Sequence, residues 1–351
     1  MEIADLKYVA DHTGSRFAPI LTHLLFYTRN HCEEAGGECL YAKDVGADPY
    51  ARCVGGCQYI EHRVQAGNGR YVVDAPTDLP EMCVDGSHLL AAIMACTDGE
   101  PSLSVGDAFV TVSAGRVRAR MGLSDPEGYP RHQPDPETAH TAPGVAALLV
   151  LLQPFVATDA SRPWATCVCV HGGFAYATNN VLLVRVPFPA TIEHPVNIPG
   201  AVVEAVITKG EPSGLGVGPG SLTFYFDDGV WIKTQLIEGD WPVGVVDGLV
   251  DGLSGEAWLE VNPSLGLMLN TAAKLADDRH PVVEFDGNGL QLLDGSFRAD
   301  DMQPVPIDGK ANAAMAALAF TVATHVQWHT PRRDVHAFAC GDLVGVFGGQ
   351  R

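Results

Sequence analysis

The stretch TQLIEGDWP, Thr234–Pro242, follows an alternating run, FYFDDGVWIK, that predicts a β-strand. A weaker copy, RMGLSDPEGYP, Arg120–Pro130, follows a second alternating run, AFVTVSAGRVRA. Each copy ends on Glu-Gly, an aromatic residue and proline, and the copy that ends at Pro242 has one additional aspartate before the aromatic residue. A recurring ending of this kind indicates an internal repeat, so the chain is best analysed as a series of similar units.

Composition limits the possible classes of protein. The 351 residues are 46% hydrophobic and 18% charged, which predicts packed cores and not a disordered acidic polymer. The formal net charge of −20 argues against broad nucleic-acid binding, although a local basic surface remains compatible with it. No secretory leader or membrane-length apolar run is visible, so we expect an intracellular, cytoplasmic protein with reduced thiols.

Six helices are predicted from Ala/Leu-rich runs, spread two to each third of the chain. Asp85 and the pair Asn262-Pro263 look like helix starts, since Asp and Asn cap helix N-termini and proline suits the first turn. The predicted helices are Ile3–His12, Gly86–Cys96, Ala142–Val156, Pro199–Lys209, Asn262–Ala276 and Ala311–Ala323. With short strands between them, they predict an α+β fold of similar units, each with two helices against an antiparallel sheet.

Two segments look like linkers. Ser124–Pro143 is rich in proline and acidic residues and has no apolar periodicity, and Val243–Glu256 is rich in Gly and Asp. These breaks predict three domains, 1–132, 133–250 and 251–351.

At these positions the sequence resembles bacterial sliding clamps, the processivity (beta) subunits of DNA polymerase III. That family's second domain has an R-x-x-L-x-G segment, an A-T-D-G-x-R-L strand, a helix opened by proline and an ending L-I-D-G-x-F-P. Here the matching stretches are RPWATCV (Arg162–Val168), YATNNVLL (Tyr176–Leu183), NIPGAVVEAVITKG (Asn197–Gly210) and QLIEGDWP (Gln235–Pro242). GSRFAPILTHLLF, Gly14–Phe26, resembles a first-domain strand of the family, and the third domain matches by length, helices and a final strand.

The resemblance implies a ring of clamp domains, formed head to tail by two chains, with helices lining a hole for duplex DNA. It further implies no enzymatic activity and no cofactor. The expected partners are duplex DNA, a DNA polymerase, a clamp loader ATPase and a second copy of the chain as a homodimer. Divergence from the family motifs suggests a phage-encoded member.

The resemblance also places two sets of residues. Arg16 matches the family's DNA-facing arginine, and other basic residues in or beside lining helices are Lys7, Arg162, Lys209, Lys274 and Lys310. Helix 142–156 has no basic residue, so we expect weaker attraction to DNA than in a typical clamp.

The family's partner-peptide pocket maps to Ala165, Thr178, Asn180, Val181, Leu182, Leu183, Pro242, Val344, Val346 and Phe347. Asn180-Val181-Leu182 replaces Gly-His-Arg of the family, which predicts a changed peptide preference. Each basic residue can also be an ordinary solvated charge, and the pocket residues can be core strand residues.

Two groups of residues have side chains that can ligate metal ions. Cys32, Cys39, Cys53 and Cys57 offer four thiols, but at C-x6-C-x13-C-x3-C spacing, which lacks the usual C-x2-C pair. We therefore expect free or buried cysteines and no metal. His325, His329 and His336 are close in sequence, and structural roles are expected for them too.

Two other hypotheses stay open. One is a monomeric acidic protein of the clamp fold that binds a replication partner without encircling DNA. The other is a metal-stabilised or hydrolytic protein built around the cysteines, although the chain has no recognisable nucleophile motif or phosphate-binding glycine loop.

Overall fold

The computed structural model describes residues 3–14, 19–30, 60–97, 99–140, 143–159, 161–190, 192, 194–253, 258–276, 281–286, 289–300, 308–327 and 335–348. Arg16, His329 and the four cysteines Cys32, Cys39, Cys53 and Cys57 lie outside the described residues.

The described residues contain seven α-helices. They are α1 (Ile3–Ala10), α2 (Gly86–Met94), α3 (Val145–Leu152), α4 (Gly200–Lys209), α5 (Val243–Val250), α6 (Pro263–Leu275) and α7 (Ala313–Val322). Six of them confirm the predicted helices, with ends shifted by a few residues. The predicted caps are also confirmed, because Asp85 accepts from the His88 amide at 2.9 Å and Asn262 from the Ser264 amide at 2.9 Å. None of these helices is long enough, with an apolar enough sequence, to cross a membrane.

The strands recur in the same order between the helices. Strands of the first third are β1 (His23–Asn30), β2 (Ile60–Gly67), β3 (Tyr71–Pro76), β4 (Met82–Asp85), β5 (Ser102–Val105), β6 (Phe109–Ala114) and β7 (Val117–Gly122). Those of the second are β8 (Glu137–His140), β9 (Cys167–His171), β10 (Phe174–Thr178), β11 (Leu182–Pro187), β12 (Val196–Pro199), β13 (Gly214–Gly218), β14 (Ser221–Tyr225) and β15 (Trp231–Gln235). Those of the last are β16 (Leu259–Glu260), β17 (Val282–Asp286), β18 (Leu290–Leu292), β19 (Arg298–Ala299), β20 (Asp308–Asn312), β21 (His325–Gln327), β22 (Val335–Cys340) and β23 (Leu343–Gly348). Each third contains a run of one helix, four strands, one helix and three strands, which confirms the repeated α+β architecture. Strand β8 precedes this run in the second third, and α5 and β16 precede it in the last.

The strands form four antiparallel sheets. Sheet 1 has the order β4-β1-β2-β3-β15-β14-β13-β8, and sheet 2 has the order β12-β9-β10-β11-β23-β22-β21-β16. Sheet 3 is β19-β18-β17-β20, and sheet 4 is β5-β6-β7. Each eight-stranded sheet thus joins four strands of one repeat to four strands of the following repeat. Sheet 1 joins β1–β4 to β8 and β13–β15, and sheet 2 joins β9–β12 to β16 and β21–β23. By contacts, the chain divides into unit 1, Met1–Thr138 with Pro212–Gln235, and unit 2, Ala139–Glu211 with Leu236–Arg351. The boundaries 1–132, 133–250 and 251–351 stay a prediction.

Sheet 1 of unit 1 carries a buried polar network. Asp74 is fully buried and accepts from Arg63 Nε, from the Tyr27 hydroxyl at 2.7 Å and from Gln65 Nε2 at 3.1 Å. Burial disfavours the carboxylate, but these three donors stabilise it, so we assign Asp74 as ionised and paired with Arg63. The network ties β1, β2 and β3 together on one face of the sheet.

The segment predicted as the first linker is partly ordered against the same sheet. The Asp135 carboxylate accepts from Ser221 Oγ at 2.8 Å, Thr223 Oγ1 at 3.0 Å and Lys233 Nζ at 2.8 Å. Residues 137–140 then form β8 at the sheet edge. The predicted linker therefore contains ordered residues, because buried hydrogen bonds hold a segment that has no apolar periodicity of its own.

Val243–Glu256, the second predicted linker, also contains regular structure. Its first eight residues form α5, and a 3-10 turn follows at Asp251–Leu253. Val243, Val246 and Val250 recur at helical spacing, and Val246 is fully buried in unit 2. The segment is rich in glycine and aspartate, so its composition predicted a linker although three valines recur at helical spacing.

Helix α3 of unit 2 receives an acidic cap from another helix end. Glu211, just after α4, accepts from the backbone amides of Gly144 at 3.0 Å, Val145 at 2.7 Å and Ala146 at 3.1 Å. These amides have no partner within the helix, and a carboxylate also complements the helix dipole.

Replacing Glu211 with alanine is expected to destabilise α3 by about 1 kcal/mol, because three amides lose their acceptor. Faster hydrogen exchange in α3 would show the effect. Glu204→Ala is the matched control, since Glu204 is exposed on α4 and its replacement should leave α3 unchanged. Equal exchange in the two variants would contradict the capping role.

Candidate functional site

One face of sheet 2, in unit 2, collects several of the residues predicted for the peptide pocket. The register places Leu183 of β11 opposite Val346 of β23 and opposite Thr178 of β10, and Arg185 opposite Val344. Because side chains alternate along a strand, Thr178, Leu183, Val344 and Val346 share one face with Arg185. We call this surface the β11–β23 face.

Other predicted pocket residues lie elsewhere. Leu182 and Phe347 are paired with each other and buried, so alternation directs them to the opposite face of sheet 2. Ala165 is also fully buried, in a 3-10 turn. Asn180 and Val181 form an exposed turn in which Asn180 has a φ of 73°, and Arg162 Nη1 donates to Asn180 Oδ1 at 3.5 Å.

Two tryptophans that were not predicted for the site pack beside the β11–β23 face. Trp241 and Trp164 meet edge to face with their ring centroids 5.4 Å apart, and Trp241 Nε1 donates to the Trp164 carbonyl at 2.9 Å. Tyr176 of β10 lies 5.8 Å from Trp241, centroid to centroid. Both tryptophans belong to the motifs RPWATCV and QLIEGDWP, so their position in paired motifs was the available signal.

The geometry of the EGDWP turn explains its sequence. Asn197 Nδ2 donates to the carbonyls of Ile237 at 3.0 Å and Gly239 at 2.9 Å. Gly239 has a φ of 153°, and a Cβ there would lie 3.4 Å from the Trp164 Cβ, which favours glycine. The turn therefore positions the side chain of Trp241 in the core, where it is 7% exposed. In the first copy, PEGYP, the corresponding Tyr129 is buried against Leu25, so the recurring ending anchors an aromatic side chain each time.

Helix α5 covers the β11–β23 face. Val246 and Val250 are buried against Tyr176, with Leu183 and Val344 packed on the same cluster. Leu253, at the end of the following turn, packs with Val346 in an adjoining cluster. Pro242, the remaining predicted pocket residue, begins α5 as its N-terminal cap position.

A polar anchor lies beside this apolar contact. Arg185 Nη1 is 2.9 Å from Asp247 Oδ1, and Arg185 Nη2 is 3.0 Å from Asp251 Oδ1. The Tyr176 hydroxyl donates to Asp247 at 3.0 Å. Burial and then the hydrogen bond to Asp247 raise the pKa of Tyr176, so this hydroxyl remains a donor at neutral pH.

The basic residues predicted to face DNA have varied surroundings. Lys7 of α1, Lys274 of α6 and Arg162 are exposed, and Lys209 ends α4. Lys310 lies on β20, where its Nζ is 3.6 Å from Glu284 Oε1.

Three of the five described cysteines, Cys83, Cys167 and Cys169, are buried in the core. Burial raises the pKa of Cys83 and Cys167 to about 11 and that of Cys169 to about 12. Within the described residues, no group of three or more His, Cys, Asp or Glu side chains is arranged to hold a metal ion. His325 and His336 occupy strands β21 and β22.

The buried thiols should resist alkylation of the folded protein at pH 8, because they are protonated and shielded. We expect Cys83, Cys167 and Cys169 to react with iodoacetamide only after denaturation, as measured by peptide mass spectrometry. Rapid native labelling of any of the three would contradict their assignment as protonated, shielded core thiols.

Comparison with solved structures identifies the class of fold. The beta subunit of DNA polymerase from Streptococcus pyogenes is similar over 99% of this chain and 97% of its own, with a TM-score of 0.74 and 14% identity. The beta clamp of Helicobacter pylori bound to a DNA ligase peptide gives a TM-score of 0.72 at 10% identity, with 99% and 97% coverage. The DNA polymerase III subunit beta of Pseudomonas aeruginosa gives 0.71 at 14% identity, with the same coverage.

The chain therefore has the fold of bacterial sliding clamps along nearly its whole length, as the sequence motifs predicted. No protein-family model and no curated protein matches the sequence. The likeness is one of structure, at identities that show the fold alone.

Proposed function

We propose that this protein is a sliding clamp, a non-enzymatic processivity factor. Two copies close head to tail around duplex DNA and tether a DNA polymerase, and a clamp loader ATPase opens the ring in the cytoplasm. The proposal is supported by the fold, by the β11–β23 face and by sheets 3 and 4, each of which ends, among the described residues, on an edge strand without a partner strand.

The strand orders carry the ring proposal. Sheet 1 joins β3 of the first repeat to β15 of the second, and sheet 2 joins β11 of the second to β23 of the third. In the third repeat, β19 has the position that β3 and β11 have in the first two repeats. In the first repeat, β7 has the position that β15 and β23 have in the other two. Among the described residues, sheets 3 and 4 leave these two strands at their edges. A second copy placed head to tail would pair β19 with β7, and a repeat of the operation closes the assembly.

Charge favours this pairing. Strand β7 exposes Arg118 and Arg120, with Arg116 in the turn before it. Among the described residues around β19, exposed Asp286, Asp294 and Asp300 outnumber Arg298, which forms ion pairs with Asp286 and Asp300. Three arginines on one edge stand out in a chain with 42 acidic and 22 basic residues, and opposite charges steer such edges together.

The first test is the mass in solution by light scattering, where a chain of 37.3 kDa should give a dimer. Changing Arg118 and Arg120 together to glutamate should convert the dimer to monomer, because both edges would then be acidic. Arg70→Glu, at an exposed turn of unit 1, is the control and should stay dimeric. A wild-type monomer at all concentrations, with DNA present or absent, would refute the ring.

Binding to DNA is proposed for Lys7, Arg16, Arg162, Lys209, Lys274 and Lys310. A ring holds DNA by topology and needs only moderate positive charge, which is compatible with these few side chains. The dimer should remain on closed circular DNA and slide off linear DNA. Loss of both Lys7 and Arg16 should reduce polymerase processivity, and unchanged processivity would contradict this assignment.

The β11–β23 face is proposed as the site for a peptide of the polymerase or clamp loader. Leu183, Val344 and Val346 supply an apolar strand surface, and the two tryptophans flank it. Of the other predicted pocket residues, Thr178 lies on this surface, Asn180 and Val181 form the exposed turn between β10 and β11, and Pro242 precedes α5. Ala165, Leu182 and Phe347 are buried in the core.

A monomeric, acidic clamp-fold protein remains the second candidate. The net charge of −20 and the absence of basic residues from α3 favour it. It would bind a replication partner through the same face yet run as a monomer, so the mass measurement separates the two functions.

A further inference from the structure

Helix α5 forms one side of the β11–β23 face. Val246 and Val250 of the helix are buried in a cluster with Tyr176, and Leu183 and Val344 pack on this cluster while staying partly exposed. The open part of the face therefore lies next to the helix. The position of α5 determines how much apolar strand surface a partner can reach.

The apolar contacts of α5 do not by themselves define its orientation, because the hydrophobic effect is non-directional. The helix has eight residues, which is shorter than helices that form alone in water, and Gly244 and Gly248 lower its intrinsic stability further. Pro242, at the N-cap position, adds no side-chain hydrogen bond. A directional contact from elsewhere in unit 2 must therefore set the rotation of the helix.

Arg185 of β11 supplies this directional contact. Its Nη1 is 2.9 Å from Asp247 Oδ1, and its Nη2 is 3.0 Å from Asp251 Oδ1 at the C-terminal end of the helix. The guanidinium carbon lies 4.8 Å from the centroid of the Phe174 ring, and the arginine side chain is only 16% exposed. Because the guanidinium is planar, pairing two of its nitrogens with two carboxylates one turn apart restricts both the rotation and the tilt of α5.

A second strand contributes to the same anchor. The Tyr176 hydroxyl donates to Asp247 Oδ1 at 3.0 Å, and this oxygen also accepts from Arg185 Nη1. Tyr176 of β10 and Arg185 of β11 are directly opposite each other in sheet 2. Helix α5 is therefore fixed to a pair of strands, one of which also carries Leu183 of the proposed peptide site.

Unit 1 has a comparable arrangement after its own closing turn. Asp135 is the fifth residue after Pro130, as Asp247 is the fifth residue after Pro242. The Asp135 carboxylate accepts from Lys233 Nζ at 2.8 Å, so a cation of the underlying sheet again holds the chain that follows the turn. The recurrence indicates that a carboxylate–cation contact belongs to the repeated architecture of the closing turn.

We propose that Arg185 is a positioning residue of the peptide site, which holds α5 in the orientation that lets the β11–β23 face bind a partner peptide. The inference rests on the proposed function of that face. Arg185 acts through the helix and not by contact with the peptide, because Asp247 and Asp251 engage its two terminal nitrogens. A site whose wall is already fixed loses less conformational freedom on binding, so its affinity is higher.

The test measures binding of the cognate DNA polymerase to full-length variants by surface plasmon resonance without DNA. Arg185→Met keeps the apolar stem but removes the donors, and it should weaken binding ~10-fold, the order expected for charge-assisted hydrogen bonds. Asp247→Asn together with Asp251→Asn should weaken it by a similar factor. All three substitutions combined should be no worse than either set, since they remove one shared interaction. Arg185→Lys, which keeps the charge, should be intermediate.

Hydrogen exchange identifies the route by which Arg185 acts. The amides of α5 should exchange faster in Arg185→Met and in the double-asparagine variant, while those of α3 stay unchanged. Arg131→Met is the matched control, because Arg131 also lies over an aromatic ring, 4.0 Å from the centroid of Tyr27, but in unit 1. It should alter neither α5 exchange nor polymerase binding.

The outcomes separate this inference from the function on which it rests. If Arg185 contacted the peptide directly, the double-asparagine variant would release the arginine and bind the polymerase as well as the wild type or better, which would overturn the positioning role. Equal binding by the wild type and all Arg185 variants would also overturn it and leave the proposed function intact. A polymerase that does not bind the wild type overturns the proposed function and this inference together.

Discussion

Replacing Leu183 with aspartate is expected to weaken binding of the cognate DNA polymerase at least ~100-fold, which corresponds to about 2.7 kcal/mol. Leu183 packs in both apolar clusters of the β11–β23 face, between Val344 and the segment above it. A carboxylate at this position would lose its hydration on partner binding. Among the described residues of the face, the basic group is Arg185, which already contacts Asp247 and Asp251.

The measurement is surface plasmon resonance with the polymerase and without DNA, so that the ring and its lining do not contribute. Val150→Asp is the matched control, because Val150 is 50% exposed on α3. Helix α3 contacts α4 and contributes no residue to the clusters of the β11–β23 face. The control should bind as the wild type does. Polymerase binding retained by a folded Leu183→Asp protein would rule out this face as the partner site.

Replacing Asp74 with alanine is expected to lower the free energy of unfolding of unit 1 by about 3–5 kcal/mol, because it leaves the Arg63 guanidinium buried without its main counter-charge. Arg63 would keep Glu61 and the Gly229 carbonyl, which accepts from Nη2 at 2.7 Å. Tyr27 and Gln65 would each lose an acceptor as well. A buried charge with incomplete pairing costs far more than any single hydrogen bond.

Hydrogen exchange in β2, β3 and β15 reports this loss locally, which suits a chain of two units better than one global transition. Asp107→Ala, at an exposed turn of the same unit, is the control and should change exchange little. Adding Arg63→Met to Asp74→Ala should recover part of the stability, since it removes the unpaired charge. If Asp74→Ala were no worse than its control, the network would be dispensable.

Much of the fold was predictable from local rules. Six helices were visible from their Ala/Leu content, and two of their starts from Asp85 and Asn262, because capping depends on atoms within one turn. Helix α5 was missed, since it is short and rich in glycine, and its stability comes from strands elsewhere in unit 2. The extended residues near Asp135 were missed for a similar reason, as their partners Ser221, Thr223 and Lys233 are distant in sequence.

The site was predictable only in part. The motifs located the strands that build the β11–β23 face, and Thr178, Leu183, Val344 and Val346 lie together on it. Leu182 was grouped with them by motif, but the register turns it to the opposite face. Arg185 was not predicted for the site because its role depends on Asp247 and Asp251 of a helix that the sequence did not reveal.

By itself, the sequence determined the series of helices and strands, its repetition, and the aromatic residue that closes the turns ending at Pro130 and Pro242. Those features depend on residues a few positions apart, where propensity, caps and turns act. Only the tertiary structure decided that β3 pairs with β15 and β11 with β23, which leaves β7 and β19 at sheet edges and brings α5 onto the β11–β23 face. Many strands of this chain have a similar alternating pattern, so local rules do not select among their pairings. The selection comes from how apolar faces and buried polar groups fit when the whole chain packs.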